Sequence, residues 1–416
     1  GSGAGFWNVT GAGNTYLGSG TGGGASGQSN SNNTGVGKSA LSLITTGSNN
    51  VAVGNTAGAA STVEDDNVFI GKDSASIMYG ASNVSVGKDA LKGASFTESG
   101  GVYNNDPTIT HTADSRIVAG LGVSGNGIPV GSHISSITDG THFELSASTT
   151  GGAKTSQTLT FYSRSTGSVA LGYQSLTALT AGNSNIAIGY QAMKEHQTGD
   201  SNTVIGHGAM SDSNNHAGYH NTFLGASSGG GGWSGAAHSN TAVGSSSFSG
   251  GAKTSTAVGN VAVGRDSLYA LTTGASNVAI GYQAGDSITG GHSNVIIGKG
   301  AYNTSPTGHG VVAIGFEALK IVGASGFDDQ QAVAVGYQAG VTVNTGRFNT
   351  LLGYKADVGV ATDNYQTSIG HHGIIKYKTA RVSITKANSG VNSVIAEVCK
   401  IPALSIIHRV TCTVIT

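Results

Sequence analysis

The sequence predicts an all-β fold, a parallel β-solenoid of the β-roll or β-helix kind with coils of about 17 residues. Three observations predict it. An aliphatic residue followed by Gly, usually with Asn or a small polar residue four positions before that Gly, recurs along most of the 416 residues. The spacing of these units is most often 17, as in Gly37, Gly54 and Gly71 or Gly264, Gly281, Gly298 and Gly315. The composition is also far from that of an ordinary globular enzyme, with 69 glycines and only 10% charged residues against a usual charged share of about 25%.

The chain divides along this repeat. Residues 1–13 are a lead-in. Residues 14–93 form a first block, anchored at Gly18, Gly37, Gly54, Gly71 and Gly87. A second block, 168–373, is anchored at Gly172, Gly189, Gly206, Gly225, Gly244, Gly264, Gly281, Gly298, Gly315, Gly336, Gly353 and Gly370. Within a coil, an apolar residue often follows four after the anchor (Leu41, Leu176, Leu268) and another seven after it (Ile44, Leu179, Leu271). Ten after the anchor comes a turn glycine, such as Gly47, Gly182 or Gly274. The coil therefore reads as a short strand, a bend, a second apolar segment and a Thr-Gly-x-x-Asn turn.

Each part has a physical reason. Strand alternation puts Val278 and Ile280 on one face and Ala279 and Gly281 on the other. A single coil buries too little to stand alone, and stacking makes the apolar column continuous. Coils about 4.8 Å apart satisfy one another's backbone groups, so 17 of them give a rod of roughly 80 Å. Equivalent asparagines are expected to form hydrogen-bonded ladders. Glycine supplies positive φ or close backbone approach at the bends.

Two segments break the period. Residues 94–167 alternate apolar and polar residues around turn signals such as Asp139-Gly140 and read as a small β-domain looped out of the rod. It is read either as a spacer or as a receptor-binding module. Residues 374–416 read as strands of a different C-terminal β-domain that stops in an apolar strand, so the natural chain is expected to continue or to have been cut. The opening GSGAGFWNVTG has no initiator Met and no signal-peptide pattern, again the mark of a processed chain or fragment.

With the repeat in view, "NSNIAIGYQAM", "TTGASNVAIGYQAG" and "TTGSNNVAVGNTAG" resemble the repeats of bacteriophage tail-fibre and tail-spike proteins. They are also similar to the repeats in the head of trimeric autotransporter adhesins. The likeness covers roughly residues 14–92 and 168–372. It implies a homotrimer, and it implies that residues 374–416 open a jelly-roll-like module. The adhesin repeat is shorter than 17, and neither a heptad stalk nor a membrane barrel is visible here, so the phage setting is favoured.

The search for chemistry is mostly negative. Glu64-Asp65-Asp66 and Asp328-Asp329 are the only carboxylate clusters, and both are read as ordinary acidic turns. No nucleophile elbow is present, and "GTGGGASG" lacks the Lys-Ser/Thr ending of a phosphate loop. No catalytic residue, cofactor site or metal site is assigned. His207 and the pair His371-His372 follow anchor glycines and could meet on a threefold axis, but are read as polar coil positions. The position after the anchor carries Tyr173, Tyr190, Tyr282, Phe316, Tyr337 and Tyr354, with Lys38, Lys72, Lys88, Arg265 and Lys299 in other coils. The aromatics are read as a structural ladder stacking on itself, with sugar stacking as the alternative. Trp233, in the glycine-rich "ASSGGGGWSGAAHSN", is the one candidate ligand contact, on a loop expected to be mobile, or else a contact to a neighbouring chain.

A net charge of −1 provides no field for nucleic acid, and no apolar run is long enough to insert in a membrane. The expected function is thus non-enzymatic: a rigid trimeric fibre segment on the virion surface, used for host attachment. Its expected partners are copies of itself, other tail or fibre proteins, and a host-surface glycan or protein. The alternatives are an adhesin head on a bacterial surface and a polysaccharide-depolymerising tail spike.

Overall fold

The computed structural model describes residues 1–213, 218–303, 306–320, 331–343, 346–358, 362 and 364–370, and the backbone of 375–378. Its main body is one 18-stranded sheet of three- and four-residue strands, one per coil. Successive strands are parallel and in register: Val51–Val53 lies beside Val68–Ile70, and Val278–Ile280 beside Val295–Ile297, residue for residue. The last pair differs. Ile375–Lys378 runs antiparallel to Gln366–Ile369 and folds back over the end of the stack. Among the described residues no helix is long and apolar enough to cross a membrane.

The lead-in belongs to the stack. Asn8 bridges to Gln28, and the Gly5 N–H donates to the Thr21 carbonyl at 2.9 Å. Gly1 stands 17 before Gly18, so residues 1–13 follow the path of the coil beside them.

Inside the coil the packing is counter to residue size. The middle residue of each strand is buried and usually small, as with Ala52, Ala187, Ala279 and Ala313. The aliphatic residues four and seven after the anchor, such as Leu41 and Ile44 or Leu268 and Leu271, are fully buried and fill the interior. The β-branched residues flanking the middle position face outward instead, and Val53, Ile70 and Ile280 count among the exposed large hydrophobics. The reason is space: the coil is too narrow for three large side chains on its inner wall, so the bend residues take the room and the strand contributes alanine.

The asparagines form the expected ladder, buried within the wall. The Asn277 side-chain oxygen accepts the backbone and side-chain N–H of Asn294 at 3.1 and 2.9 Å, while its own Nδ2 donates to Asn260 Oδ1 at 3.0 Å. That Nδ2 also reaches the Gly291 carbonyl at 2.8 Å, tying strand to turn. The same pattern runs from Asn33 through Asn50 and Asn67, and from Asn185 to Asn294. Both ends of the Asn277 amide are thus used, as burial demands.

The anchor glycine answers two constraints at once. Gly54 has φ of 142°, and a Cβ there would lie 2.5 Å from the Gly71 carbonyl oxygen in the next coil. Gly281 repeats this with φ of 137° and 2.7 Å to Gly298. Gly189, Gly206, Gly298, Gly315 and Gly353 stand in the same column with φ between 124° and 146°. Such backbone favours glycine, and the neighbouring main chain leaves no room to relax.

Residues Ser95 to Tyr162 lie outside this pattern. They form a six-stranded antiparallel sheet in the order Gly122–Ser124, Ala153–Tyr162, Ser95–Asn104, Thr108–Thr110, His142–Leu145 and Ile134–Asp139. It has its own core, with Tyr103, Ile109, Val123, Phe143, Leu159 and Phe161 buried together. The solenoid passes it by: Val84–Val86 pairs directly with Val169–Leu171. Gly87 and Gly172 are 85 positions apart, and removing the 68 residues from Ser95 to Tyr162 leaves 17, one ordinary coil. The sheet is spliced into a single bend, where the Ser163 N–H donates to the Ala94 carbonyl at 2.9 Å and closes its neck.

Candidate functional site

Because every coil repeats the last, each outward position becomes a column along the rod. The column after the anchor holds the aromatic residues. Tyr173 stacks on Tyr190 at 5.3 Å between ring centroids, and Tyr190 on His207 at 5.1 Å. Farther along, Phe316, Tyr337 and Tyr354 stack at 5.0 and 5.3 Å. Cations fill several other rungs, while Ala226 and Ser245 stand at two more. Lys88 lies 5.3 Å from the Tyr173 ring, and Lys299 lies 5.8 Å from both Tyr282 and Phe316. Arg265 completes the run at 5.9 Å from Tyr282.

This geometry decides what the ladder can do. Interplanar angles of 8–22° turn the ring faces toward one another along the rod, leaving mainly edges toward solvent. A sugar needs an open ring face, and here the faces are occupied by the next ring or cation. His207 is a member of this ladder, stacked on Tyr190. Among the described residues no group of three or more His, Cys, Asp or Glu is placed to hold a metal ion.

Trp233 lies elsewhere than its glycine-rich surroundings imply. It is 2% exposed, its indole N–H donates to the Gly229 carbonyl at 3.1 Å, and it meets Phe223 edge to face at 6.3 Å. It is a core residue, so its assignment as a ligand contact is corrected. Space comes from Gly218, where a Cβ would sit 2.6 Å from the indole, and from a wider coil. The anchors Gly206, Gly225, Gly244 and Gly264 are spaced 19, 19 and 20 apart, and the coils they bound bury Phe223, Trp233, Phe248 and Lys253. The departure from 17 was the available signal: extra circumference accommodates bulk.

Lys253 was not singled out in the sequence, yet it is fully buried with no acidic partner among its contacts. Its ammonium donates to the carbonyls of Gly230, Gly250 and Gly251, and burial pushes its pKa down to about 7. His196, also fully buried, is pushed down to about 4 by the same cause.

The carboxylates of 64–66 are spent on their own turn and that of the preceding coil. Glu64 Oε2 accepts the N–H of Thr62 at 2.6 Å and of Val63 at 3.0 Å, Asp65 accepts the Ser48 N–H at 2.6 Å, and Asp66 accepts Asn49 Nδ2 at 3.2 Å. Asp328-Asp329, His371-His372 and all of 379–416 lie outside the described residues.

The most extensive outward feature is aliphatic. The residues flanking each strand's buried middle line up in register as Val51, Val68 and Val84 beside Val53, Ile70 and Val86. The second block continues them as Val261, Val278, Val295 and Val312 beside Val263, Ile280, Ile297 and Ile314. This is a ribbon along the rod, half-buried at most positions and exposed at others, with Leu17 at 64%, Leu224 at 45% and Ile369 at 42%. Compared with protein-family models, curated protein sequences and solved structures, the chain matches none.

Proposed function

We propose that this chain is a structural, non-enzymatic segment of a phage fibre, acting as a rigid trimeric arm that presents the virion surface to a host cell. The observation that carries the reading is the outward aliphatic ribbon. Contiguous exposed apolar surface of this extent marks an interaction face. Only a partner with the same axial repeat can match it coil by coil, and another copy of this chain has that repeat. Three copies turned inward about one axis bring three ribbons together, and the resemblance to trimeric fibres favours three over two.

In this arrangement residues 95–162 form an inserted module standing out from the rod, and residues 374–416 form a further C-terminal β-domain. The partners are then copies of the chain, adjoining tail or fibre proteins, and a glycan or protein of the host surface. Threefold display raises avidity without one deep site. Negative-stain imaging of the purified chain tests the reading: slender rods on the order of 80 Å long support it, and compact globules overturn it.

A further inference from the structure

Where the inserted sheet leans on the rod, the two enclose a cleft of about 450 Å³, inside the range of about 300–1,000 Å³ typical of small-molecule sites. One wall is Ala119 and Gly120 of the inserted module, and the other is the corner of three successive coils, bearing Asn183, Asp200, Tyr219 and His220. The walls approach closely: a Cβ on Gly120 would stand 3.1 Å from the Ala181 methyl.

The chemistry of this cleft differs from that of the aromatic ladder. Tyr190 and Tyr337 each carry a ring on both faces. Among the described residues Tyr219 stacks a ring on one face, that of His238 in the following coil at 4.4 Å and 10°, with His220 edge-on at 5.4 Å. Its other face looks back along the stack toward Asp200. One Asp200 oxygen accepts the Asn183 N–H at 2.6 Å, leaving the second for an incoming hydroxyl. Among the described residues no Lys or Arg lines the cleft, and its Asp200 carboxylate disfavours an acidic ligand.

We propose that this cleft binds one ring of a neutral glycan, its C–H face against Tyr219 and its hydroxyls on Asp200, Asn183 and Thr198. The proposal rests on the attachment reading and names the chemistry that reading leaves open. It assigns the inserted module the task of closing a sugar site on the rod.

Two variants keep the fold while removing the chemistry. The same corner position is Ser48 in another coil, so Tyr219→Ser has a native precedent. Asn183 and Asn364 accept the equivalent N–H of Thr166 and Arg347, so Asp200→Asn preserves that bond and removes only charge. The experiment is saturation-transfer NMR and titration calorimetry on the full chain. The probes are the methyl glycosides of glucose, galactose, mannose and N-acetylglucosamine, with N-acetylneuraminic acid as the acidic control.

The expected result is binding of at least one neutral glycoside and not of the acid, weakened about tenfold or more in each variant. No binding of any neutral glycoside, equal binding of the acid, or undiminished binding by both variants overturns the proposal. Imaging the same preparation separates the two readings. Rods without a sugar signal overturn the cleft alone, and globules overturn the fibre.

Discussion

The rod and the inserted sheet solve the same problem in opposite ways. In residues 95–162 the large side chains, Phe143, Phe161 and Tyr103, turn inward and long antiparallel strands wrap a closed core. In the solenoid the strands put alanine inside and valine or isoleucine outside, and a buried amide ladder replaces part of the apolar wall. The first arrangement completes itself within one chain. The second leaves valine and isoleucine of its strands half-buried or exposed, the face that the proposed assembly would cover.

The largest effect expected from breaking this comparison is at an anchor. Gly281→Val meets both the positive φ and the Gly298 main chain and should cost about 3–5 kcal/mol, read as a lower melting temperature or loss of folded yield. Gly140 in the inserted sheet has nothing within 4 Å of a built Cβ, so Gly140→Ala should leave the melting temperature nearly unchanged.

Next comes the buried cation of the rod. The unfolded chain protonates Lys253 below its ordinary value of 10.5, the folded chain only below about 7. Folding stability is therefore greatest above the first value, falls as pH drops toward the second, and is level below it, a change on the order of a few kcal/mol. Thermal melts from pH 7 to 10 should show this slope in the wild type and lose it in Lys253→Met.

Breaking one rung of the ladder has a smaller effect. Asn277→Ala strands the two Asn294 donors and the Gly291 carbonyl and should cost about 2–3 kcal/mol. Asn277→Ser should cost less, since Ser168 occupies a rung and accepts the Asn185 N–H at 3.2 Å. Denaturant midpoints of the two variants test the order.

A small effect is expected from the largest edit. Deleting Ser95 to Tyr162 and joining Ala94 to Ser163 restores an uninterrupted 17-residue coil and should shift melting by only a few degrees. A collapse of the rod on deletion would show that the sheet supports the stack rather than hanging from it.

The period, the anchor glycines and the asparagine ladder were legible because each is a local rule repeated many times. Which strand face turns inward was not, because in "NVAIG" both faces are apolar or small and alternation alone assigns no inside. Trp233 misled for a related reason: four glycines look like a mobile loop, but here the Gly229 carbonyl takes the indole N–H and Gly218 leaves the space in which the indole is buried. The Tyr219 cleft joins residues of the insertion to coil residues about 60–100 positions farther along, a distance no repeat pattern encodes.

The central claim is that the outward aliphatic ribbon is covered by copies of the same chain. Sedimentation equilibrium of the purified protein tests it most directly. The account predicts a mass near three times 41.1 kDa for the wild type, falling toward a single chain when Val263, Ile280 and Ile297 are all changed to Glu. A wild-type mass of one chain, with the ribbon left in water, would contradict it.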